Sequence, residues 1–287
     1  MNRFLNYRIR SVIKKSLIAS KIRKEGLRAK DYLAQEIIPL PSLATFPVDV
    51  HDLNGSINCL EKIPGALHPM EGLTLSFLSA YGPGNEPVVE VGTYLGKSTS
   101  YIALGCKIAS KKGVYTIDMF PSADDWYLGS DGYYHIHGSG YSLPKEYYDE
   151  RSTFVYKGGY QNTLDLFKDI IEKVGLEDII TPFKGTSSAF VESIQPGSKF
   201  RMIFIDADHS YEGVSQDIFS LVSFLTEDGI ICFHDYEKET PGVFKAVNEH
   251  IISSKDFSHI ALVGSLLIAK KCKSNLQRNV EDEANES

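Results

Sequence analysis

The sequence predicts an α/β fold in which a mostly parallel β-sheet carries helices on both faces. Three observations support this prediction. Short apolar runs such as 87–91 and 200–205 alternate with segments of helical periodicity, as in parallel sheets with crossover helices. Several of these runs end on an acidic residue, at the edge of the sheet where such folds bind ligands. The last two runs, 258–262 and 265–269, are joined by two residues only, which predicts an antiparallel C-terminal hairpin.

The individual elements follow from the same patterns. A helix at 70–80 precedes the first strand. Further strands are predicted at 113–118, 179–183, 200–205 and 230–233, and helices at 101–109, 162–174, after 188, near 211 and at 243–252.

One domain accounts for most of the chain, because 287 residues can bury one substantial core. We predict this domain over residues 46–272, with a basic helical extension at 1–45 and a fraying acidic tail at 273–287. Residues 119–161 interrupt the alternation and are dense in Tyr and Gly, which predicts a lid or insertion at the ligand edge of the sheet.

Charge is distributed unevenly along the chain. Ten basic residues and one acidic residue stand in the first thirty positions, a local charge of +9, so the remainder carries −16 within a net charge of −7. An acidic body argues against nucleic acid as a partner. The basic N-terminus has three interpretations: a helix packed on its own domain or on a second copy, a peripheral contact with an anionic membrane surface, or an import peptide.

The cysteines and the apolar runs bear on location. The four cysteines show neither close pairing nor metal-type spacing, which predicts a reducing compartment and hence a cytoplasmic protein. No apolar run approaches the roughly 20 residues that a membrane span requires. The alternative is a membrane-peripheral location, in which the basic N-terminus contacts the membrane surface.

A glycine turn follows the first predicted strand. Residues 87–99 are Pro-Val-Val-Glu-Val-Gly-Thr-Tyr-Leu-Gly-Lys-Ser-Thr, and Gly92 and Gly96 let the backbone approach a ligand closely. Only three residues separate these glycines, whereas a P-loop has four at this point. A dinucleotide fingerprint needs glycine where Tyr94 stands, and its ring would crowd a pyrophosphate. The turn therefore favours a ligand without phosphates, or is a plain connection.

Acidic residues and imidazoles follow three later strands. Asp118 ends the second strand, where it is predicted to accept hydrogen bonds from ribose hydroxyls, unless it caps a turn. Asp206 follows one buried strand and the His234-Asp235 pair follows the next. Adjacent parallel strands end side by side, so these groups should meet, and a cation such as Mg²⁺ or Mn²⁺ would relieve the repulsion between the acids. The alternative is that Asp206 and Asp235 cap the following helices.

Four motifs resemble, in order and spacing, those of the metal-dependent O-methyltransferases. They are Glu-Val-Gly-Thr-Tyr-Leu-Gly-Lys-Ser at 90–98, Thr-Ile-Asp at 116–118, Phe-Ile-Asp-Ala-Asp-His at 204–209 and Gly-Ile-Ile-Cys-Phe-His-Asp-Tyr at 229–236. That family includes the catechol and caffeoyl-CoA enzymes and, more similar to this chain, the macrocin-type enzymes that methylate sugar hydroxyls. The resemblance covers roughly residues 65–270.

The resemblance implies a Rossmann-like seven-stranded sheet and S-adenosylmethionine as cofactor. It implies a metal site at Asp206, His234 and Asp235. It further implies cofactor contacts at the positions that match the family's motifs, which are Glu90, Gly92, Thr93, Tyr94, Gly96, Ser98, Asp118, Thr186, Ser187 and Asp206.

The chain departs from the family pattern at two positions. Where the catechol enzymes have Asp-Asn and many sugar enzymes Asp-Asp, this chain has His234-Asp235. Imidazole is a better ligand for Mn²⁺ than for Mg²⁺. His234 therefore has two alternatives to binding the metal itself: it holds the metal ligands in place, or it is the base. His209 stands where the catechol enzymes have a base Lys, and an imidazole suits general-base work near neutral pH. Asp208 is the alternative base.

The sequence thus predicts a methyltransferase acting on a hydroxyl of a sugar, a glycoside or a related small molecule, with a divalent cation assisting. A small phenolic acceptor and a scaffold or regulator that retains the fold without turnover are the alternatives. Tyr94 argues against a nicotinamide-dependent oxidoreductase. The tyrosines of 119–161 are expected either to line the acceptor or to form contacts in a homo-oligomer, which we also expect.

Overall fold

The computed structural model describes residues 57–137 and 141–272. The predicted extension at 1–45 and the tail at 273–287 lie outside these residues. The helices are α1 (Pro69–Tyr81), α2 (Lys97–Ile108), α3 (Lys145–Phe154), α4 (Thr163–Lys173), α5 (Ser187–Ser193), α6 (Tyr211–Leu221) and α7 (Pro241–Val247). The strands are β1 (Val88–Val91), β2 (Val114–Asp118), β3 (Trp126–Leu128), β4 (Tyr133–Ile136), β5 (Ser142–Pro144), β6 (Ile180–Lys184), β7 (Phe200–Ile205), β8 (Leu225–Phe233), β9 (Phe257–Val263) and β10 (Leu266–Lys271).

Seven strands form the main sheet, in the order β6-β2-β1-β7-β8-β10-β9. The strands from β6 to β8 pair in parallel, whereas β10 pairs antiparallel with both β8 and β9. The predicted α/β fold and its C-terminal hairpin are therefore confirmed. Because β2, β1, β7 and β8 are parallel neighbours, their carboxyl ends lie at one edge of the sheet.

Both faces of the central strands are covered. Val88 and Phe204 face one apolar layer, which contains residues of α1, α2 and α4. Val89 and Ile203 face the other layer, which contains residues of α5, α6 and α7. Every residue of β1 and β7 is buried, which explains why both strands are apolar except for Glu90 and Arg201. This packing on two sides holds the strand ends in fixed positions, since each buried large apolar side chain contributes about 1.5–3 kcal/mol.

Helix α2 begins earlier than predicted. It starts at Lys97 rather than near 101, directly after Gly96, whose φ is 86°. The polar Ser98 and Thr99 suggest a loop in the sequence, yet they occupy the first helical turn because their hydroxyls donate to buried Glu90. The helix predicted at 243–252 is likewise divided, into α7 and a π-helical turn at Asn248–Ile252.

Residues 119–137 and 141–161 contain three strands and a helix of their own. Strands β3, β4 and β5 make a separate antiparallel sheet against which α3 packs; we call these four elements the lid layer. The Trp126 ring lies between those of Tyr141 and Tyr148, with centroid distances of 6.2 and 5.4 Å. Its indole N–H donates to the Tyr156 hydroxyl at 3.0 Å. Part of the aromatic residues that are dense in the sequence thus pack on one another around Trp126.

Among residues 57–137 and 141–272, every helix is too short or too polar to cross a bilayer.

Candidate active site

The candidate site lies where β1, β2, β7 and β8 end. Gly92 directly follows β1 with a φ of 95°, and its N–H donates to the carbonyl of Ile117 at 2.9 Å. A Cβ added at residue 92 would lie 2.0 Å from the carbonyl oxygen of Asp206, a distance that no side chain tolerates. The predicted glycine turn and the predicted acidic cluster are therefore in direct contact.

Asp118, at the end of β2, holds the glycine turn in place. One of its carboxylate oxygens accepts the N–H groups of Thr93 and Tyr94, each at 3.0 Å. The other accepts the N–H of Phe120 at 2.8 Å. A carboxylate oxygen accepts two hydrogen bonds, so with respect to residues 57–137 and 141–272 this second oxygen retains one acceptor position. The contact of Asp118 with a ribose hydroxyl stays a prediction.

Glu90 is completely buried beneath the turn. Its carboxylate accepts hydrogen bonds from Ser98 at 2.6 Å, from Thr116 at 2.6 Å and from Thr99. Burial raises the pKa of Glu90 to about 7; the hydroxyl donors oppose this shift and the negative charge of Asp206 adds to it. Glu90 and Ser98 thus tie β1 to α2 and β2. Their direct contact with a cofactor stays a prediction, and the structure gives them a supporting role beneath the turn.

The remaining predicted cofactor positions are also used in local structure. Gly96 packs on the Phe167 ring, which a Cβ there would approach to 2.6 Å. The hydroxyl of Thr186 accepts the N–H of Ala189 at 3.2 Å and so begins α5. Ser187 is buried and donates to Asp217 at 2.6 Å. The side chain of Thr186 therefore caps α5, and that of Ser187 ties α5 to α6. Their predicted contacts with adenine stay predictions.

Two aspartates and two histidines meet at the ends of β7 and β8. His209 Nε2 lies 3.2 Å from Asp235 Oδ2 and 4.0 Å from Asp206 Oδ1. His234 Nδ1 lies 3.3 and 3.4 Å from the same two oxygens. In the described residues, one atom each of Asp206, His209 and Asp235 lies within 4.8 Å of the others, an arrangement that could hold a metal ion. Asp206 thus lies close to the His234-Asp235 pair, as the strand order predicts, but this group of three contains His209 in place of His234. A metal site at Asp206, His234 and Asp235 stays a prediction.

The two imidazoles differ in environment. The side chain of His209 is 51% exposed, whereas that of His234 is 5% exposed. His234 Nε2 lies 3.1 Å from Glu71 Oε2, so both of its ring nitrogens face carboxylates. Burial lowers the pKa of His234, but the charges and hydrogen bonds of Asp206, Asp235 and Glu71 outweigh this effect and raise it far above its usual value. The imidazole of His234 is thus buried and held by its carboxylate partners, while the imidazole of His209 is exposed to solvent.

Asp208 is oriented differently from its neighbours. Its carboxylate accepts the N–H of Ser210 at 2.8 Å, and a Cβ on Gly213 would lie 2.3 Å from its other oxygen. It therefore supports the turn that leads into α6. This orientation makes Asp208 a weaker candidate for the base than His209.

Arg151 connects the lid layer to the glycine turn. Arg151 of α3 is 8% exposed, and its guanidinium carbon lies 4.6 Å from the centre of the Tyr94 ring and 5.5 Å from that of Trp126. These are cation–π distances. Desolvation, partly offset by the charge of Arg151, raises the pKa of Tyr94.

Two residues at the site are not among those predicted from the sequence. Glu71 stands at the third position of α1, where a capping box is recognisable in the sequence, yet nothing there indicates its bond to His234. Arg151 gives no sequence signal at all. The sequence did not indicate the backbone strain either: Tyr94, Phe120 and Asp235, which follow β1, β2 and β8, have φ values of 48°, 43° and 53°. Strain in non-glycine residues gathers at functional sites.

Comparison with known proteins identifies the family. A sequence family described as a methyltransferase domain matches residues 89–236, just over half of the chain. The fold is similar to that of the O-methyltransferase from Bacillus cereus in complex with SAH, with a TM-score of 0.51 and 18% identity over 80% of this chain and 94% of that one. It is also similar to a putative O-methyltransferase from Klebsiella pneumoniae, with a TM-score of 0.51 and 15% identity over 80% and 93%.

The matched region contains the glycine turn, Asp118 and the whole cluster from Asp206 to Asp235. The structural likenesses support the same fold. The chain therefore belongs to this methyltransferase-domain family and is an S-adenosylmethionine-dependent methyltransferase.

Proposed function

We propose that this methyltransferase transfers the methyl group to an oxygen, a hydroxyl of a small-molecule acceptor, with a divalent cation at Asp206, His234 and Asp235 and with His209 as general base. The observation that carries the proposal is the contact between two features: the cluster of acids and imidazoles lies directly against the glycine turn, with Gly92 on the backbone of Asp206. A methyl donor in the turn and a hydroxyl at the cluster would be neighbours.

The turn fits the cofactor. Gly92 is partly exposed between β1 and α2 and has no side chain, and Tyr94 is held at a φ of 48° by the bond from its N–H to Asp118. S-adenosylmethionine, when bound, supplies an electrophilic methyl group. The residues of this chain hold the donor and exclude water from it, and Arg151 of the lid layer contacts the turn from above.

The donor set fits a divalent cation. Asp206 and Asp235 offer carboxylate oxygens, and Nδ1 of His234 faces both at 3.3–3.4 Å. A nitrogen in the set favours Mn²⁺ or another transition metal over Mg²⁺. Such a cation, when bound, lowers the pKa of an acceptor hydroxyl.

His209 is the proposed base because its imidazole is the solvent-exposed one of the cluster. Its ring is half exposed, and Nε2 lies 3.2 Å from Asp235. When this ring takes the proton of the acceptor hydroxyl, the carboxylates of Asp206 and Asp235 stabilise the imidazolium that forms. Proton removal strengthens the oxygen nucleophile for attack on the methyl group.

The acceptor is expected to be a sugar hydroxyl or a related polyhydroxylated molecule. This proposal is supported by exposed aromatic side chains of the lid layer, Tyr127, Tyr133 and Tyr147, which are 44%, 44% and 59% exposed. Flat rings with hydroxyl groups suit sugars. A homo-oligomer, a cytoplasmic location and a peripheral membrane contact through the basic N-terminus complete the proposal, and they rest on the sequence alone.

The test is methyl transfer from radiolabelled S-adenosylmethionine to an acceptor panel of glycosides, free sugars, catechols and thiols, with Mn²⁺ or Mg²⁺ present. We expect label in an oxygen-linked methyl group of a glycoside or sugar. Transfer to catechols alone would retain the oxygen acceptor but reject the sugar. Transfer only to thiols, or cofactor binding without transfer to any acceptor, would contradict the proposed function.

A further inference from the structure

A buried carboxylate lies directly behind the cation site. Glu71, in the first turn of α1, is 4% exposed, and His234, at the end of β8, is 6% exposed. Their side chains meet at 3.1 Å between Oε2 and Nε2, although 163 residues separate them in the chain. Burying a carboxylate without partners is costly, so the position of Glu71 requires an explanation.

Glu71 is itself held from two further sides. Its Oε1 accepts the N–H and the hydroxyl of Ser265, at 2.7 and 3.1 Å, from the turn between β9 and β10. Its Oε2 also accepts the N–H of His68 at 3.0 Å, as part of the capping box of α1. Each oxygen therefore accepts two hydrogen bonds, which is its full capacity. The carboxylate cannot turn away from His234 without losing several bonds.

The bond to Glu71 determines how the imidazole is placed. Because Nε2 faces Glu71, Nδ1 faces the opposite way, toward Asp206 Oδ1 and Asp235 Oδ2. A carboxylate that accepts one ring N–H of a ligand histidine orients the ring and makes its other nitrogen a better metal ligand.

We propose that Glu71 is the positioning residue of the cation site: it accepts the Nε2 hydrogen of His234 and directs Nδ1 to the position shared by Asp206 and Asp235. The inference rests on the cation site of the proposed function. It adds that the site is built for a metal that accepts nitrogen, and that α1 and the β9–β10 turn take part in it.

The test measures the affinity of the full chain for Mn²⁺. The electron paramagnetic resonance signal of the free ion gives the amount of Mn²⁺ that is not bound. Glu71→Gln keeps the size of the side chain and loses the charge and one acceptor oxygen. We expect its affinity for Mn²⁺ to fall about 10–100-fold, with a smaller change for Mg²⁺ measured by competition. In a His234→Ala background the same substitution should add little to the loss.

The matched control is His68→Ala. The side chain of His68 caps α1 by accepting the N–H of Met70 at 3.2 Å, whereas Glu71 binds the backbone N–H of His68. This variant therefore weakens α1 but leaves Glu71 in place, and it should bind Mn²⁺ like the wild type. Thermal unfolding of both variants measures the structural cost separately.

A spectroscopic readout tests the ligand directly. Electron spin echo modulation detects nitrogen bound to Mn²⁺, and a His209→Ala background removes the other imidazole of the cluster. We expect nitrogen coupling in that background and its loss when Glu71→Gln is added. Wild-type affinity in Glu71→Gln, or an equal loss in His68→Ala, would overturn the role of Glu71 while leaving the cation site intact. A wild-type chain that binds no divalent cation would overturn both.

Discussion

The imidazole of His209 lies 3.2 Å from the carboxylate of Asp235, and the two residues follow neighbouring strands. His209 is the exposed member of this pair, so it can meet an acceptor while Asp235 stabilises its charged form. His209→Ala should lower kcat about 10²–10⁴-fold, the usual contribution of a general base. Cofactor affinity, measured by calorimetry, should stay near the wild-type value. Unchanged turnover would remove His209 from this role, and Asp208 would be tested next.

The close approach of β1 and β7 gives a second prediction. In Gly92→Ala the added Cβ would lie 2.0 Å from the Asp206 carbonyl oxygen, so the two strand ends must separate. We expect calorimetry to detect no cofactor binding. Gly197→Ala is the matched control, because residue 197 also has a positive φ, of 83°, but has nothing within 4 Å of the added atom. It should cost only the left-handed strain, about 1–2 kcal/mol. Equal cofactor affinity in both variants would contradict the account.

Arg151 connects the lid layer to the cofactor turn. Arg151→Ala removes contacts with the rings of Tyr94 and Trp126, each worth roughly 0.5–2 kcal/mol. Cofactor affinity should therefore fall about tenfold, since 1.4 kcal/mol corresponds to that factor. Arg151→Lys keeps the charge but not the planar stacking, and we expect an intermediate affinity. An alanine variant with wild-type affinity would show that the contact has no part in cofactor binding.

The part of the site that follows directly from strand order could be predicted from the sequence. Asp206 and Asp235 each follow a buried apolar run, and the ends of adjacent parallel strands must meet, so their proximity was predictable. The bond between Glu71 and His234 was not, because it depends on how α1 packs across the sheet. Nor was the fold of the lid layer, where ring packing rather than periodicity determines the strands.

The pH dependence of stability is expected to reflect Asp217, which is 8% exposed and bonded to Ser187. Burial raises the pKa of Asp217 from 3.8 to about 6. Because the folded state binds this proton more tightly than the unfolded state, its stabilising contribution is complete below pH 3.8 and is lost as the pH rises through 6. The loss is at most about 3 kcal/mol at neutral pH, from roughly two pKa units.

Asp217→Asn removes the titrating carboxyl but keeps an oxygen that can accept the hydrogen bond of Ser187. Between pH 5 and pH 8 the unfolding temperature of this variant should therefore fall less than that of the wild type. The exposed Glu192→Gln, on neighbouring α5, removes an equal charge and should leave the pH profile unchanged. Parallel profiles for the wild type and Asp217→Asn would show that Asp217 does not titrate in this range.

In the proposed function, a divalent cation held by the cluster at the ends of β7 and β8 assists methyl transfer. This role of the cation is tested most directly by methyl transfer with metal-stripped protein, before and after addition of Mn²⁺, for the wild type and for Asp206→Asn. We expect the stripped wild type to be inactive and Mn²⁺ to restore its activity, whereas Mn²⁺ should not restore the activity of Asp206→Asn. Calorimetry with the cofactor shows whether this variant has lost cofactor binding as well. Full activity of the stripped wild type, or an Asp206→Asn variant as active as the wild type, would contradict this role of the cation.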